Sequence, residues 1–120
     1  MTLRRLKTYT GETGYVYQYY FVGKRPALAS DPAAPATEFV FDVTSDRKQT
    51  FAVSIFLRDE ALTSWQAQHE RNLADAEQYA ATKMRLFRAF DEIENLMEQG
   101  RRILIGPEEL KELLSRLGVD

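Results

Sequence analysis

The chain has 120 residues and no cysteine, which is the size of a single domain and excludes both a disulfide framework and a thiolate metal site. Its net charge is −2, but basic side chains outnumber acidic ones in the first 30 residues, where they can attract an anionic partner or protect a strand from edge pairing. No stretch approaches the roughly 20 apolar residues of a membrane span, and the amino end lacks the apolar core of a secretory signal. We therefore expect a single domain over residues 1–120 that is cytoplasmic and does not contact a membrane.

The first predicted element is a strand over residues 15–23 that is apolar on both faces. A half-buried strand would alternate apolar with polar side chains, whereas here Val16, Tyr20 and Val22 lie opposite a face of rings. That face consists of Tyr15, Tyr17, Tyr19 and Phe21. Both faces are therefore expected to meet a partner, which can be a helix of the same domain, a second copy of the chain or a ligand that stacks on tyrosine.

A loop rich in proline and alanine is predicted over residues 24–36, because its three prolines withhold backbone donors and disfavour both helix and central strand. Residues 37–57 then alternate between apolar and polar side chains on both sides of a short polar turn at 45–48, which predicts a β-hairpin. The apolar face of this hairpin consists of Phe39, Phe41, Val43, Phe51, Val53, Ile55 and Leu57.

After the hairpin the apolar period changes from two to about 3.6 residues, which predicts a long amphipathic helix over residues 59–92. No glycine or proline interrupts residues 59–99, but one helix of that length would measure about 60 Å, well beyond a compact domain of this size. Whether residues 59–99 form one helix or two therefore stays open. A bend is expected near Asn72, and a looser segment is expected before Gly100.

The carboxyl end predicts a short strand over residues 102–105 and a helix over residues 107–117. Pro107 suits the first helical position and Gly118 suits the position after the last turn. Strands that precede helices in the chain are typical of an α+β domain. We predict an antiparallel sheet of three to four strands, covered on one face by the long amphipathic helix and the C-terminal helix.

No pattern typical of a catalytic, metal or cofactor site is found. His69 is the single histidine, and Glu70 beside it points in another direction on a helix, so packing is favoured over general base catalysis. The two glycines in residues 11–14 lack the strand and helix that flank a phosphate-binding loop. We predict a non-enzymatic protein without catalytic residues, metal or cofactor. A small-molecule enzyme in which a tyrosine or His69 works with Asp42 stays open, because such sites assemble from distant residues.

The tyrosine strand and the cations that follow it form the best candidate binding site. Tyrosine buries a large area at a low cost in rotamer entropy, so the strand favours contact with another protein or with a second copy of the chain. Nucleic-acid bases also stack on such rings while cations hold the phosphates, which makes single-stranded nucleic-acid binding the alternative. The predicted binding residues are Tyr15, Tyr17, Tyr19, Lys24 and Arg25.

Three segments give the chain a resemblance to small bacterial proteins of unknown function. They are residues 7–26, the Phe-Val-Phe-Asp-Val sequence at 39–43, and residues 79–92. The resemblance spans most of the chain and implies a bacterial cytosolic origin. It implies no activity and no role for any residue.

Overall fold

Five strands and four helices make up the part of the chain that the computed structural model describes, which comprises residues 6–12, 14–29, 34–93 and 95–119. The strands are β1 (Lys7–Thr10), β2 (Val16–Ala29), β3 (Ala34–Thr44), β4 (Phe51–Arg58) and β5 (Arg102–Ile105). The helices are α1 (Asp59–His69), α2 (Asp75–Glu92), α3 (Leu96–Gln99) and α4 (Pro107–Arg116). The strands form one sheet in the order β1-β2-β3-β4-β5, in which every neighbouring pair is antiparallel except the parallel pair of β4 and β5.

The predicted α+β class is confirmed, whereas the predicted antiparallel sheet of three to four strands is wrong because the sheet has five strands and is mixed. The additional strand is β1, whose sequence KTYT contains a single ring and so lacks the alternation that marks a strand. The sheet is mixed because the chain leaves β4 through helices on one side of the sheet. It re-enters at β5 in the same direction, which makes this pair parallel.

The hairpin formed by β2 and β3 is much longer than the sequence predicts. Residues 24–29 and 34–36 lie in strands, which corrects the loop predicted over 24–36, and residues 30–33 of that loop lie outside the described residues. Proline is compatible with this hairpin because β2 beyond Tyr20 has no second neighbour among the described strands, and an edge strand tolerates a missing N–H. The register also skips one residue between β2 and β3 at Val22, which is a β-bulge.

The single helix predicted over residues 59–92 is wrong, because two helices, α1 and α2, occupy this region and residues 70–74 separate them. Glu70 ends α1 in a left-handed conformation with φ 54°, and Leu73 then turns its side chain into the core. The bend expected near Asn72 is therefore a complete break in the helix. The final strand and helix are present as β5 and α4, and α3 replaces the looser segment expected before Gly100.

The pKa of Glu77 tests this junction between α1 and α2. Its carboxylate accepts two hydrogen bonds of 3.0 Å from the Arg71 guanidinium and one of 2.9 Å from the Ala74 amide. The bonds from Arg71 and then from Ala74 lower the pKa of Glu77 from 4.5 to about 2. Because the folded-state pKa lies below the unfolded-state pKa, these bonds stabilise the fold above about pH 4.5, and their contribution is lost as the pH falls toward 2.

We expect an NMR titration of the Glu77 carboxyl group to have its midpoint near 2. We also expect Arg71→Gln to raise that midpoint toward 4.5, because the largest cause of the shift is then removed. A midpoint near 4.5 in the unaltered protein would show that the junction is open in solution.

The hydrophobic core lies on one face of the sheet, which we call the inner face. Helices α1, α2 and α4 cover it, and their buried side chains, such as Trp65, Phe90 and Leu113, pack in the same cluster as those of the strands. The inner face consists of Tyr17, Tyr19, Phe39, Phe41, Val43, Phe51, Val53, Ile55, Leu57, Ile103 and Ile105. No helix of the described chain covers the opposite face, which we call the outer face.

Candidate interaction surface

Two of the tyrosines predicted to bind a partner belong to the core. Tyr17 and Tyr19 are each 3% exposed because the inner face of β2 lies against α2. The Tyr17 ring stacks on Phe90 with centroids 4.3 Å apart, and the Tyr19 ring meets Phe87 edge-on at 5.5 Å. Burial is also the main cause that raises the pKa of Tyr19 to about 12. The faces of these two rings are therefore occupied by the protein itself, whereas Tyr15 at the start of the strand remains exposed.

The two predicted cations lie on opposite faces of β2. Lys24 points to the inner side, where its ammonium lies 3.4 Å from the carboxylate of Asp75 and 5.8 Å from the centroid of the Phe39 ring. Arg25 lies on the outer face, and its Nε donates a hydrogen bond of 2.8 Å to Glu38. Among the five predicted binding residues, Arg25 is thus the one that belongs to the outer face. Single-stranded nucleic-acid binding stays a prediction, but the structure does not bring those five side chains onto one surface.

The outer face consists of rows of side chains that run across the strands. One row contains Arg25, Glu38, Phe56 and Leu104. The next row contains Gly23, Val40, Ser54 and Arg102. The third row contains Tyr20, Asp42 and Ala52. On β2 and β3, Gly23 and Val40 are small, and nothing lies within 4 Å of a Cβ built on Gly23. Larger side chains stand in the neighbouring rows on these two strands, so the surface is lower over Gly23 and Val40, and we call this feature the trough.

The first row buries a carboxylate and a ring on a face that no described helix covers. Glu38 is 8% exposed and accepts hydrogen bonds from Arg25 and, at 2.6 Å, from the Ser54 hydroxyl. The bond from Arg25 is the largest cause that lowers the pKa of Glu38, so this carboxylate is charged at neutral pH. The Phe56 ring is also buried, and the Arg102 guanidinium lies 4.8 Å from its centroid. Long arginine side chains therefore shield part of the outer face.

Large aliphatic side chains remain open on the rest of the outer face. Val16, Val22 and Leu104 are 45%, 42% and 42% exposed. In the third row, the Tyr20 hydroxyl donates a hydrogen bond of 2.6 Å to Asp42, which orients that carboxylate. Apolar side chains exposed together on one face mark a surface for contact.

The edges of the sheet are less suited to contact than its outer face. Beyond Tyr20 the free edge of β2 carries the bulge at Val22, the charge of Lys24 and the missing N–H of Pro26. Natural sheets use these same features to prevent edge-to-edge pairing. The opposite edge strand, β5, has only four residues and begins with Arg102. Packing through the outer face is therefore favoured over extension of the sheet at an edge.

One local signal of this surface is present in β4, but it is hidden by the alternation that predicts the hairpin. Phe56 stands between Ile55 and Leu57, so β4 is apolar on both faces near its end, as the tyrosine strand is. A second apolar face is a sign that something covers it. Here Phe56 packs with Ala36 under long side chains of the outer face. No comparable signal marked Arg102, because its position beside Phe56 depends on the parallel pairing of β4 and β5.

The residues considered for catalysis lie apart. The His69 ring stacks on Trp65 with centroids 4.0 Å apart, and its Nδ1 lies 2.9 Å from the Trp65 carbonyl oxygen. Trp65 belongs to the inner core, whereas Asp42 lies on the outer face, so the sheet separates His69 from Asp42. Within the described ranges, no group of three or more His, Asp or Glu side chains is placed to hold a metal ion.

Among the described helices, none is long and apolar enough to cross a membrane. The cytoplasmic location expected from the sequence stays a prediction. Comparisons of the chain with protein-family models, with curated proteins and with solved structures give no match. Any functional conclusion therefore depends on the geometry of the surface itself.

Proposed function

We propose that the chain is a non-enzymatic interaction module that self-associates by packing the outer face of its sheet against the same face of a second copy. One observation carries this proposal: helices cover the inner face, whereas the outer face has no helix in the described part of the chain and exposes Val16, Val22 and Leu104. An apolar surface of this kind is stabilised when it is removed from water.

A second copy suits this face because the charges on it are self-complementary. Arg25 and Glu38 neutralise each other within one chain, so they leave little net potential for a strongly charged foreign partner. Arg102 and Asp42 lie on either side of Ser54, in neighbouring rows. A two-fold axis in the plane of the interface exchanges their positions, which brings Arg102 of each copy to Asp42 of the other.

The shape of the outer face also suits a sheet-on-sheet contact. The trough leaves space for a large aliphatic side chain such as Leu104 of the second copy, and aligned sheets pack about 10 Å apart. Five strands about 4.8 Å apart and roughly eight residues long present about 650 Å². Two such faces come close to the lower end of the range for specific interfaces. We therefore expect a dimer that dissociates in the micromolar range.

Light scattering coupled to size exclusion tests this proposal. We expect twice the mass of one chain at high micromolar concentration, in low and in high salt, because apolar burial dominates the contact. Leu104→Lys places an ammonium in the interface and is expected to raise the dissociation constant by about 100-fold or more. Leu117→Lys is the matched control, because Leu117 follows α4 and has a similar exposure, 36%.

Exchanging the charges of Arg102 and Asp42 tests whether the dimer has one specific geometry or is held together by nonspecific apolar contact. Arg102→Asp alone brings carboxylates together across the interface and should weaken the dimer, and adding Asp42→Arg should restore part of the affinity. A chain that stays monomeric across the micromolar range contradicts the proposal. So does a dimer that Leu104→Lys leaves intact. A salt-sensitive complex with mixed oligonucleotides would instead support the nucleic-acid alternative.

A further inference from the structure

A cleft of about 500 Å³ opens where the start of β2, the turn between β3 and β4, and α3 come together. This volume lies within the range of about 300–1,000 Å³ that small-molecule sites occupy. The polar side chains that line it are Tyr15, Tyr17, Ser45, Asp46, Gln49, Asn95 and Gln99. Phe51 and Leu96 supply an apolar floor. The cleft is distinct from the rows that form the outer face.

The hydroxyl of Tyr17 points to a ligand in this cleft. The Tyr17 side chain is 97% buried by the core, since its exposed fraction is 3%, and the stack on Phe90 fixes the ring. Burial raises the pKa of the Tyr17 phenol, so it is neutral and can donate a hydrogen bond. Its hydroxyl makes no hydrogen bond to a described residue, and it is not among the buried atoms that lack a partner, so it reaches the open space of the cleft. A polar ligand atom in the cleft can accept the hydrogen bond that this hydroxyl otherwise donates to water.

The charges in the cleft restrict the ligand chemistry. Asp46 is the one ionisable acid or base, apart from tyrosine, among the described residues that line it. The Asp46 Oδ1 accepts bonds from the amides of Gln49 and Lys48, which lower the pKa of this carboxyl, while Oδ2 takes no part in those bonds. An anionic ligand would meet this carboxylate without a lining lysine or arginine from the described chain to balance it. The ligand is therefore not a phosphate or a carboxylate.

The remaining lining groups both donate and accept hydrogen bonds. The side-chain amides of Gln49 and Gln99 each offer an oxygen and an NH₂ group, and tyrosine offers a hydroxyl. The Asn95 amide offers its oxygen and one N–H, because its Nδ2 already donates a hydrogen bond of 3.1 Å to Glu98. The Tyr15 ring is 49% exposed and presents an apolar face at the rim. Hydroxyl groups around a ring with apolar C–H edges match such a set of groups, since each hydroxyl donates one hydrogen bond and accepts others.

We propose that this cleft binds a neutral polyhydroxylated ligand, a mono- or disaccharide, which packs on Tyr15 and accepts a hydrogen bond from the Tyr17 hydroxyl. The proposal does not depend on self-association, because no row of the outer face lines the cleft. The side-chain amides of Gln49, Asn95 and Gln99 provide reporters inside the site itself.

The test is an NMR titration of the full chain with glucose, N-acetylglucosamine and maltose at millimolar concentration. At least one of these sugars is expected to shift the three amide signals of the cleft. Tyr15→Ala is expected to lower the affinity at least about tenfold. Tyr17→Phe removes one oxygen, leaves the stack on Phe90 in place, and is expected to lower the affinity about threefold to tenfold. Tyr20→Phe removes a hydroxyl from the outer face and is expected to leave the affinity unchanged.

Three results would overturn the proposal. They are the absence of shifts with all three sugars, an affinity that neither Tyr15→Ala nor Tyr17→Phe changes, and equal binding of inorganic phosphate at the same amides. Both variants are expected to fold, because Tyr15 is a surface residue and Tyr17→Phe keeps the ring. The backbone spectrum checks this directly. The Leu104→Lys variant should bind sugar as the unaltered chain does, which separates failure of this site from failure of the dimer.

Discussion

Replacing Phe90 by alanine will lower the free energy of unfolding by about 3–5 kcal/mol. Phe90 is completely buried on α2 and stands at the centre of a ring cluster that joins this helix to β1 and β2. Its centroid lies 4.3 Å from that of Tyr17, 5.6 Å from Tyr9 and 6.0 Å from Tyr19. The substitution removes the partner of the Tyr17 stack and leaves a cavity that three rings held by strands cannot fill.

Urea denaturation measures this effect, provided that the slope of the transition is unchanged. Phe90→Leu retains most of the volume and is expected to lose less than half as much free energy. Leu28→Ala, near the end of β2 where this residue is 64% exposed, is expected to change the free energy by less than about 0.5 kcal/mol. A loss below about 2 kcal/mol for Phe90→Ala would mean that β1 and β2 do not pack on α2 as the structure shows.

The elements that the sequence predicts well are those whose signal is local. The hairpin of β3 and β4 alternates because only its inner face contacts helices, and α4 begins at Pro107 with its leucines on one side. The break between α1 and α2 has no local cause of this kind, because residues 70–74 contain no glycine or proline. The break depends on burial of Leu73 and on the bonds to Glu77, which form only in the folded chain.

The side chains of the candidate surface were harder to predict, because a single β-bulge determines which face of β2 carries Lys24 and which carries Arg25. In a regular strand Arg25 would share the inner face with Tyr19 and Phe21, and Lys24 would lie on the outer face. The skipped register at Val22 reverses this arrangement, so Arg25 reaches Glu38 and Lys24 reaches Asp75. A glycine beside the bulge is a weak hint of its presence. The pairing with β3 that fixes its position is not local.

Ion pairs are also hard to predict from local spacing in the sequence. Spacing along the chain predicts that Arg88 pairs with Glu92 four residues later. In the structure Arg88 instead lies 3.5 Å from Glu109 and 3.2 Å from Glu112, both on α4. These charges join two helices and do not stabilise one helix alone. Their contribution to stability therefore depends on burial between α2 and α4.

Glu109→Gln is expected to lower the free energy of unfolding by about 2–3 kcal/mol. A fully buried ion pair would lose more, but the Glu109 side chain is 28% exposed and is therefore partly solvated. Its Oε2 lies 3.2 Å from Arg85 Nε. Nε and Nη1 of Arg85 are buried and make no hydrogen bond within the described chain. Loss of the carboxylate charge therefore leaves a desolvated guanidinium without its counter-charge.

Arg85→Leu is expected to leave the free energy of unfolding unchanged or to raise it by about 1 kcal/mol, although it breaks the same ion pair. It removes the buried charge together with its unpaired N–H groups, and Glu109 keeps Arg88 as a partner. Urea denaturation at neutral pH of both variants and of the double variant measures the coupling, which should make Glu109→Gln less destabilising when Arg85 is absent. Glu108→Gln, on an exposed neighbour, should have little effect. Equal losses for Glu109→Gln and Arg85→Leu would mean that the pair itself, and not the penalty of a buried unpaired charge, holds α2 against α4.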